Sequence, residues 1–348
     1  MNMKTHPACR VIAVSFVVAA TALATLALPA SAQEVNLYTT REPGLIKPLL
    51  DSFTAKTKIK VNTVFVKDGL AERVAAEGAR SPADVLMTVD FGNLLEIVEK
   101  GITQPIQSKA LESAIPAGLR DPSGHWFALS MRARIVYGAP TKVNLAGITY
   151  EDLADPAYKG RICIRSGQHP YNTGLIANMI VRSGEAATET WLRGVKANLA
   201  RKASGGDREV ARDILAQICD IGVGNSYYVG LMRSGKGGPE QKKWGSAIST
   251  ALPRFKDGGT HINASGAAVA KNAPNKTHAI ALLEYLVTDE AQADYARIDF
   301  EYPVKPGVAI DAIIADLGKL EPDPTSLVEI ARHRRKASLL VDKVGFDN

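Results

Sequence analysis

Cysteine is scarce in this chain, with three in 348 residues. No CxxC pair and no Cys/His spacing of a zinc site is present, which speaks against a soft thiolate metal centre. Aromatic residues make up only 6%, so a cluster of them needs a reason. Beyond residue 32 no apolar run is long enough to span a bilayer. Catalytic signatures are missing too: there is no GxSxG elbow, no HExxH, no Walker loop and no GxGxxG after the first strand. Ser204-Gly205-Gly206 and Lys236-Gly237-Gly238 are glycine loops without the rest of a phosphate cradle. With no supported nucleophile–base pair, the reading is of a binding protein and not an enzyme.

What is present begins with an address. Lys4 and Arg10, the apolar stretch from Val11 to Leu28 and the small residues Ala30-Ser31-Ala32 read as a cleaved secretory signal over residues 1–32. Cys9 precedes the apolar core, so it is not placed for lipidation. Removing the leader lowers the net charge from +6 to +4, forty basic side chains against thirty-six acidic. That excess is too small and too spread for a nucleic-acid partner. The densest basic run, Arg332 to Lys336, lies in a helical pattern with Leu327, Ile330, Leu339 and Leu340 and reads as a solvated helix face.

Tyr227 and Tyr228 are adjacent in Gly224-Asn225-Ser226-Tyr227-Tyr228-Val229-Gly230, after an apolar run from Ile218 to Val223. On a regular strand two neighbours point to opposite faces. The flanking glycines, with Asn225 and Ser226 as possible N-caps, predict instead a strand-to-helix turn that aims both phenols into one cleft. Phenolates are hard oxygen ligands suited to a hard trivalent cation such as ferric iron. The bland alternative for the pair is two ordinary cleft-lining or half-buried phenols, while Tyr38, inside the first strand, reads as core or cleft wall. His169 reads as a loop residue, and His125, His261 and His278, which share no ligand spacing, as surface or packed side chains.

Cys163 and Cys219 each precede a candidate tyrosine by eight residues, Tyr171 and Tyr227 respectively. Neighbouring strands would bring thiols and phenols to matching heights. A disulfide in an oxidising compartment and two buried free thiols both fit, and spacing does not choose between them.

Short β-rich runs alternate with amphipathic helical stretches: strands at Glu34–Tyr38, Lys60–Val66 and Asp84–Val89, helices at Gly44–Thr57, Ala71–Glu77 and Asn93–Lys100. This predicts an α/β fold with mostly parallel strands. Helices are expected over Gly174–Arg182 and Ala187–Leu199. Two extended runs, Trp126–Tyr137 and Thr260–Ala270, suggest crossings near Ile135–Gly138 and near Gly258–Ile262, between two lobes of discontinuous sequence. The lobes so read are 33–136 plus 262–303, and 137–261 plus 304–348, with a ligand cleft at the strand ends between them.

Four stretches now resemble one family, the periplasmic ferric-iron-binding proteins, or bacterial transferrins, of ABC importers. They are Val35 to Arg41, Ser130 to Arg134, Arg165 to Leu175 around Tyr171, and Gly224 to Gly230. The resemblance covers the whole chain after the leader. It implies a two-lobed fold with a hinge, and Fe(III) held by Tyr171, Tyr227 and Tyr228. It also implies a carbonate-like anion held by Arg41, Arg132 and Arg134. Several relatives have His-Tyr after the first arginine, where this chain has Glu42 and Pro43. Glu42 could add a carboxylate, or an anion or water could take its place. The implied partners are an inner-membrane permease and ATPase, and the protein itself a periplasmic monomer. The rival reading is the same fold carrying a small organic solute, with the tyrosines stacking on it.

Overall fold

The computed structural model describes residues 1–3 and 33–348; the leader reading, which rests on residues 4–32, lies outside them. Ten strands occur among the described residues: β1 (Glu34–Thr39), β2 (Lys60–Phe65), β3 (Val85–Thr88), β4 (Thr103–Gln104), β5 (Phe127–Gly138), β6 (Ile162–Cys163), β7 (Ile221–Asn225), β8 (Ser249–Ala251), β9 (Ile262–Ala270) and β10 (Tyr302–Pro303). The helices in the first half are α1 (Pro43–Thr57), α2 (Leu70–Glu77), α3 (Phe91–Glu99), α4 (Lys109–Ala114), α5 (Pro170–Ala197) and α6 (Asp207–Leu215). They continue with α7 (Ser226–Ser234), α8 (Pro239–Ser246), α9 (Lys276–Leu286), α10 (Asp289–Asp294), α11 (Ala312–Ala315), α12 (Leu327–Arg332) and α13 (Arg334–Val344).

Apolar spacing explains the elements that set the frame. In α1 the buried side chains are Ile46, Leu49, Leu50 and Phe53. They form the i, i+3, i+4, i+7 stripe of a helix lying on a core. All four residues of β3 are buried, as suits a strand with neighbours on both sides.

The strands run in the order β2-β1-β3-β9-β5-β7-β6. The expectation of a mostly parallel sheet is corrected. Only β1–β2, β1–β3 and β6–β7 are parallel, while β9 and β5 run antiparallel to every strand they touch. The reason lies in the crossings. A chain that leaves one half of the sheet on β5 must return on β9 in the opposite sense. β5 pairs with β9 up to Ala133 and with β7 from Arg134, so one strand serves both halves. At this handover Tyr150 Oη donates to the Arg134 carbonyl at 2.6 Å and accepts from the His261 N–H at 3.0 Å. Its phenol ties the two crossings together.

The two helices expected between the cysteine strands merge into α5, with a break at Gly184, whose φ of 81° suits glycine. The first of them starts four residues earlier than expected, at Pro170. The basic run is also not one solvated face. α12 ends and α13 begins around His333, and Arg334 turns inward onto Asp90, 3.0 Å away.

Candidate metal centre

β7 ends at Asn225, and Tyr227 and Tyr228 occupy the first turn of α7. Several bonds lock this turn. The Asn225 N–H donates to Asp207 Oδ2 at 2.9 Å, Tyr137 Oη donates to the Asn225 carbonyl at 3.1 Å, and Ser226 Oγ accepts from the Ala133 N–H at 3.1 Å. Gly224 is needed because a Cβ there would overlap the Tyr137 phenol. Neither Asn225 nor Ser226 acts as a side-chain N-cap; both side chains instead accept hydrogen bonds from β5, at Arg134 and Ala133.

Tyr171 lies in the first turn of α5, behind Pro170 at the N1 position. The His169 ring accepts the Tyr171 N–H on Nδ1 at 3.3 Å and packs edge-on against the phenol, with centroids 4.5 Å apart. So His169 is the N-cap of α5, a half-buried wall of the cleft and not a free loop residue. Burial, then the nearby Arg165 charge, depresses its pKa to about 3, which keeps the imidazole neutral.

The three phenols meet. Tyr171 Oη lies 3.3 Å from Tyr227 Oη, and the Tyr227 and Tyr228 rings stack with centroids 4.1 Å apart. All three line a cleft of about 350 Å³, whose opposite wall includes Thr40, Glu42, Lys67, Asp68 and Asn93. Burial, then the Tyr171 phenol, drives the Tyr227 pKa well above its ordinary value and pushes Tyr228 up to about 12. Both phenols are therefore neutral at neutral pH. A directly bound cation reverses that balance by stabilising the phenolate. The N-terminal ends of α5 and α7 and the arginines around the rings act in the same direction. Arg132 and Arg165 lie over the Tyr171 ring at 5.5 and 5.2 Å, and Arg208 over Tyr228 at 5.4 Å.

The three expected anion-binding arginines separate. Arg41 is buried against Asp299 and Glu301, both at 2.9 Å. Arg134 is buried on Asp207 at 2.5 Å with Asn172 and Asn225 as further acceptors, and it does not line the cleft. Both charges are already met by carboxylates, although the Nε of each has no partner among the described residues and Arg41 also lines the cleft. Arg132 differs. It is 1% exposed and donates Nη1 to Ser265 Oγ at 2.8 Å, while its Nε and Nη2 have no partner among the described residues. Unpaired buried guanidinium N–H groups are costly unless a ligand meets them. Arg165, also on the cleft, leaves Nε unpaired. Sequence reading passed over Arg165 and Arg208. The only signal for Arg165 was its place six residues before Tyr171; for Arg208 there was none.

Glu42 sits exposed at the cleft mouth, at the start of α1. Tyr38 is buried in a core with its hydroxyl on Glu77. His261 is packed, and no group of three or more His, Cys, Asp or Glu placed for a metal occurs among the described residues. Cys163 on β6 and Cys219 just ahead of β7 form a disulfide, with Cα atoms 5.8 Å apart. Three convergent phenols beside unpaired arginine N–H groups are an arrangement able to coordinate a hard cation together with a small anion.

Comparison with known proteins places this chain in a family. Residues 80–316 match the model of the bacterial extracellular solute-binding proteins. The chain is 39% identical to iron uptake protein A1 of Synechocystis over 91% of this chain and 89% of that one. A solved Bordetella ferric binding protein is 60% identical over 90% of this chain and all of that one, with a TM-score of 0.85. A Trichodesmium structure in complex with iron and citrate is 43% identical over 90% of this chain and 99% of that one, with a TM-score of 0.84. The fold is the two-lobed one of periplasmic binding proteins, and the chain belongs to the bacterial extracellular solute-binding proteins.

Proposed function

We propose that this protein carries ferric ion through the periplasm to an inner-membrane ABC permease and its ATPase. The observation that carries the reading is the 3.3 Å separation of the Tyr171 and Tyr227 hydroxyls, with the Tyr228 ring stacked beside them. Three phenolates balance the charge of Fe(III), and the ion is cargo, held and released without turnover. The ferric-binding and iron-uptake names of the Bordetella and Synechocystis relatives support the same cargo.

Three phenolates leave an octahedral ion incompletely coordinated. A carbonate-like anion fills the remaining positions, held by the free Nε and Nη2 of Arg132 and the free Nε of Arg165. Glu42, at the mouth, supplies at most a donor on closure. Lobes of 33–136 plus 262–303 and of 137–261 plus 304–348 close on the ion by bending near the β5 handover. The chain works as a monomer after loss of residues 1–32.

The test is spectroscopic. Ferric salt presented as a weak chelate should give the mature protein a red-orange phenolate charge-transfer band. A Tyr227→Phe/Tyr228→Phe variant should stay colourless while keeping its far-ultraviolet circular dichroism. A wild-type protein that takes up no iron, or a coloured double variant, would sink the assignment.

A further inference from the structure

The loop that delivers Tyr171 is held from the far end of the chain. Ser166 Oγ donates to Asp347 Oδ2 at 2.5 Å, the Gly167 N–H donates to Oδ1 at 2.7 Å, and the Gln168 N–H reaches Oδ2 at 3.4 Å. One carboxylate thus gathers three consecutive residues. Hydrogen bonds donated to a carboxylate are the stronger kind. The Gln168 side chain is also tied to α13, donating to the Ser338 carbonyl at 3.0 Å and to Asp342 Oδ1 at 2.7 Å. Gly167 lets the loop press against the same segment: a Cβ there would sit 2.8 Å from Phe346 and 2.9 Å from Val341.

The contacts continue to the phenol. The His169 N–H donates to the Ser166 carbonyl at 3.2 Å, and the His169 ring accepts the Tyr171 N–H and packs on its phenol. Asn172 Nδ2 donates to the Arg165 and Ser166 carbonyls, both at 3.0 Å. The same loop therefore sets Arg165, His169 and Tyr171 together. No strand supports it, because β6 stops at Cys163 and α5 begins at Pro170.

We propose that Asp347 is a positioning residue of the metal centre, holding the Ser166–Gln168 loop so that Tyr171 and Arg165 meet the ion in register. This rests on the ferric reading above. Groups that orient the direct ligands of a metal typically change its affinity by about 10- to 100-fold when removed, and Asp347 acts one step further out through backbone amides.

The experiment compares wild type with Asp347→Ala and Asp347→Asn in the full mature protein. Three quantities are read: the ferric charge-transfer maximum, the rate of iron loss to excess EDTA, and hydrogen exchange of the Gly167 and Gln168 amides without metal. Asp347→Ala should shift the band, release iron roughly tenfold faster and speed exchange at those two amides. Asp347→Asn, which keeps one acceptor oxygen, should fall between. Both should keep a wild-type circular dichroism spectrum at the assay temperature. A wild-type band and release rate in Asp347→Ala overturn the proposal even if exchange quickens, because Asp347 is then a brace of the loop alone. If wild type itself takes up no iron, the ferric reading fails and the positioning role falls with it, whatever the amides do.

Discussion

Arg41 and Arg132 donate to one acceptor, Ser265 Oγ, at 2.7 and 2.8 Å, yet their charges have different fates. Arg41 goes on to Asp299 and Glu301, whereas Arg132 ends in the cleft with two N–H groups unpaired. The hydroxyl thereby couples a structural ion cluster to the candidate anion site.

The two arginines should therefore fail differently. Arg41→Ala leaves two buried carboxylates without their cation, a loss of about 3–5 kcal/mol to be read in urea unfolding. Arg132→Ala removes no direct ion pair and two N–H groups that are already unpaired, so it should cost less in unfolding than Arg41→Ala but lose the bicarbonate dependence of iron binding. Equal unfolding costs for both would contradict the division of roles.

That division was out of reach of sequence reading. Arg41 meets partners 258 and 260 residues away, so nothing local marks it as structural. Arg134 sits two residues from Arg132 on the same strand, and only the change of neighbour from β9 to β7 sends it to Asp207. The tyrosine turn was legible because its signals are local: an apolar run, glycines and two adjacent phenols within the thirteen residues from Ile218 to Gly230. Strand direction was not, since an extended segment carries the same alternation whether its neighbour runs with it or against it.

Iron uptake should release protons. The Tyr227 and Tyr228 pKa values are raised in the metal-free protein, Tyr228 to about 12. Both phenols thus keep their protons throughout the neutral range and lose them to the ion. Linkage then makes apparent affinity rise with pH and fall with acid, about 100-fold per pH unit for these two groups. Titration in weak buffer with a pH indicator should count at least two protons per iron, after correction for the chelate's own balance. Proton-neutral uptake would rule out phenolate coordination at this pair.

The Cys163–Cys219 bond closes 56 residues of chain. Loop-closure entropy puts its removal at about 4 kcal/mol. A Cys163→Ala/Cys219→Ala variant should show that loss in urea midpoint. The ferric band should survive at low denaturant, because neither the loop and helix start that hold Tyr171 nor the start of α7 that holds Tyr227 includes the bridge. A band lost while the fold persists would mean the bridge also sets the phenols.

Arg334 reaches from α13 to Asp90 at 3.0 Å and Asn93 at 3.2 Å, both on the cleft wall that carries α3. It crosses α3 over Gly92, where a Cβ would fall inside the guanidinium. Asp90 is buried and Arg334 mostly so, so Arg334→Ala should lower stability by about 1–3 kcal/mol. Gly92→Ala should weaken the protein by displacing the same guanidinium. In the Arg334→Ala background that clash is gone, so Gly92→Ala should cost little or nothing there. Additive losses in the double-mutant cycle would show that Gly92 and Arg334 act separately. A strongly sub-additive result fixes their contact as the tie between α13 and this wall.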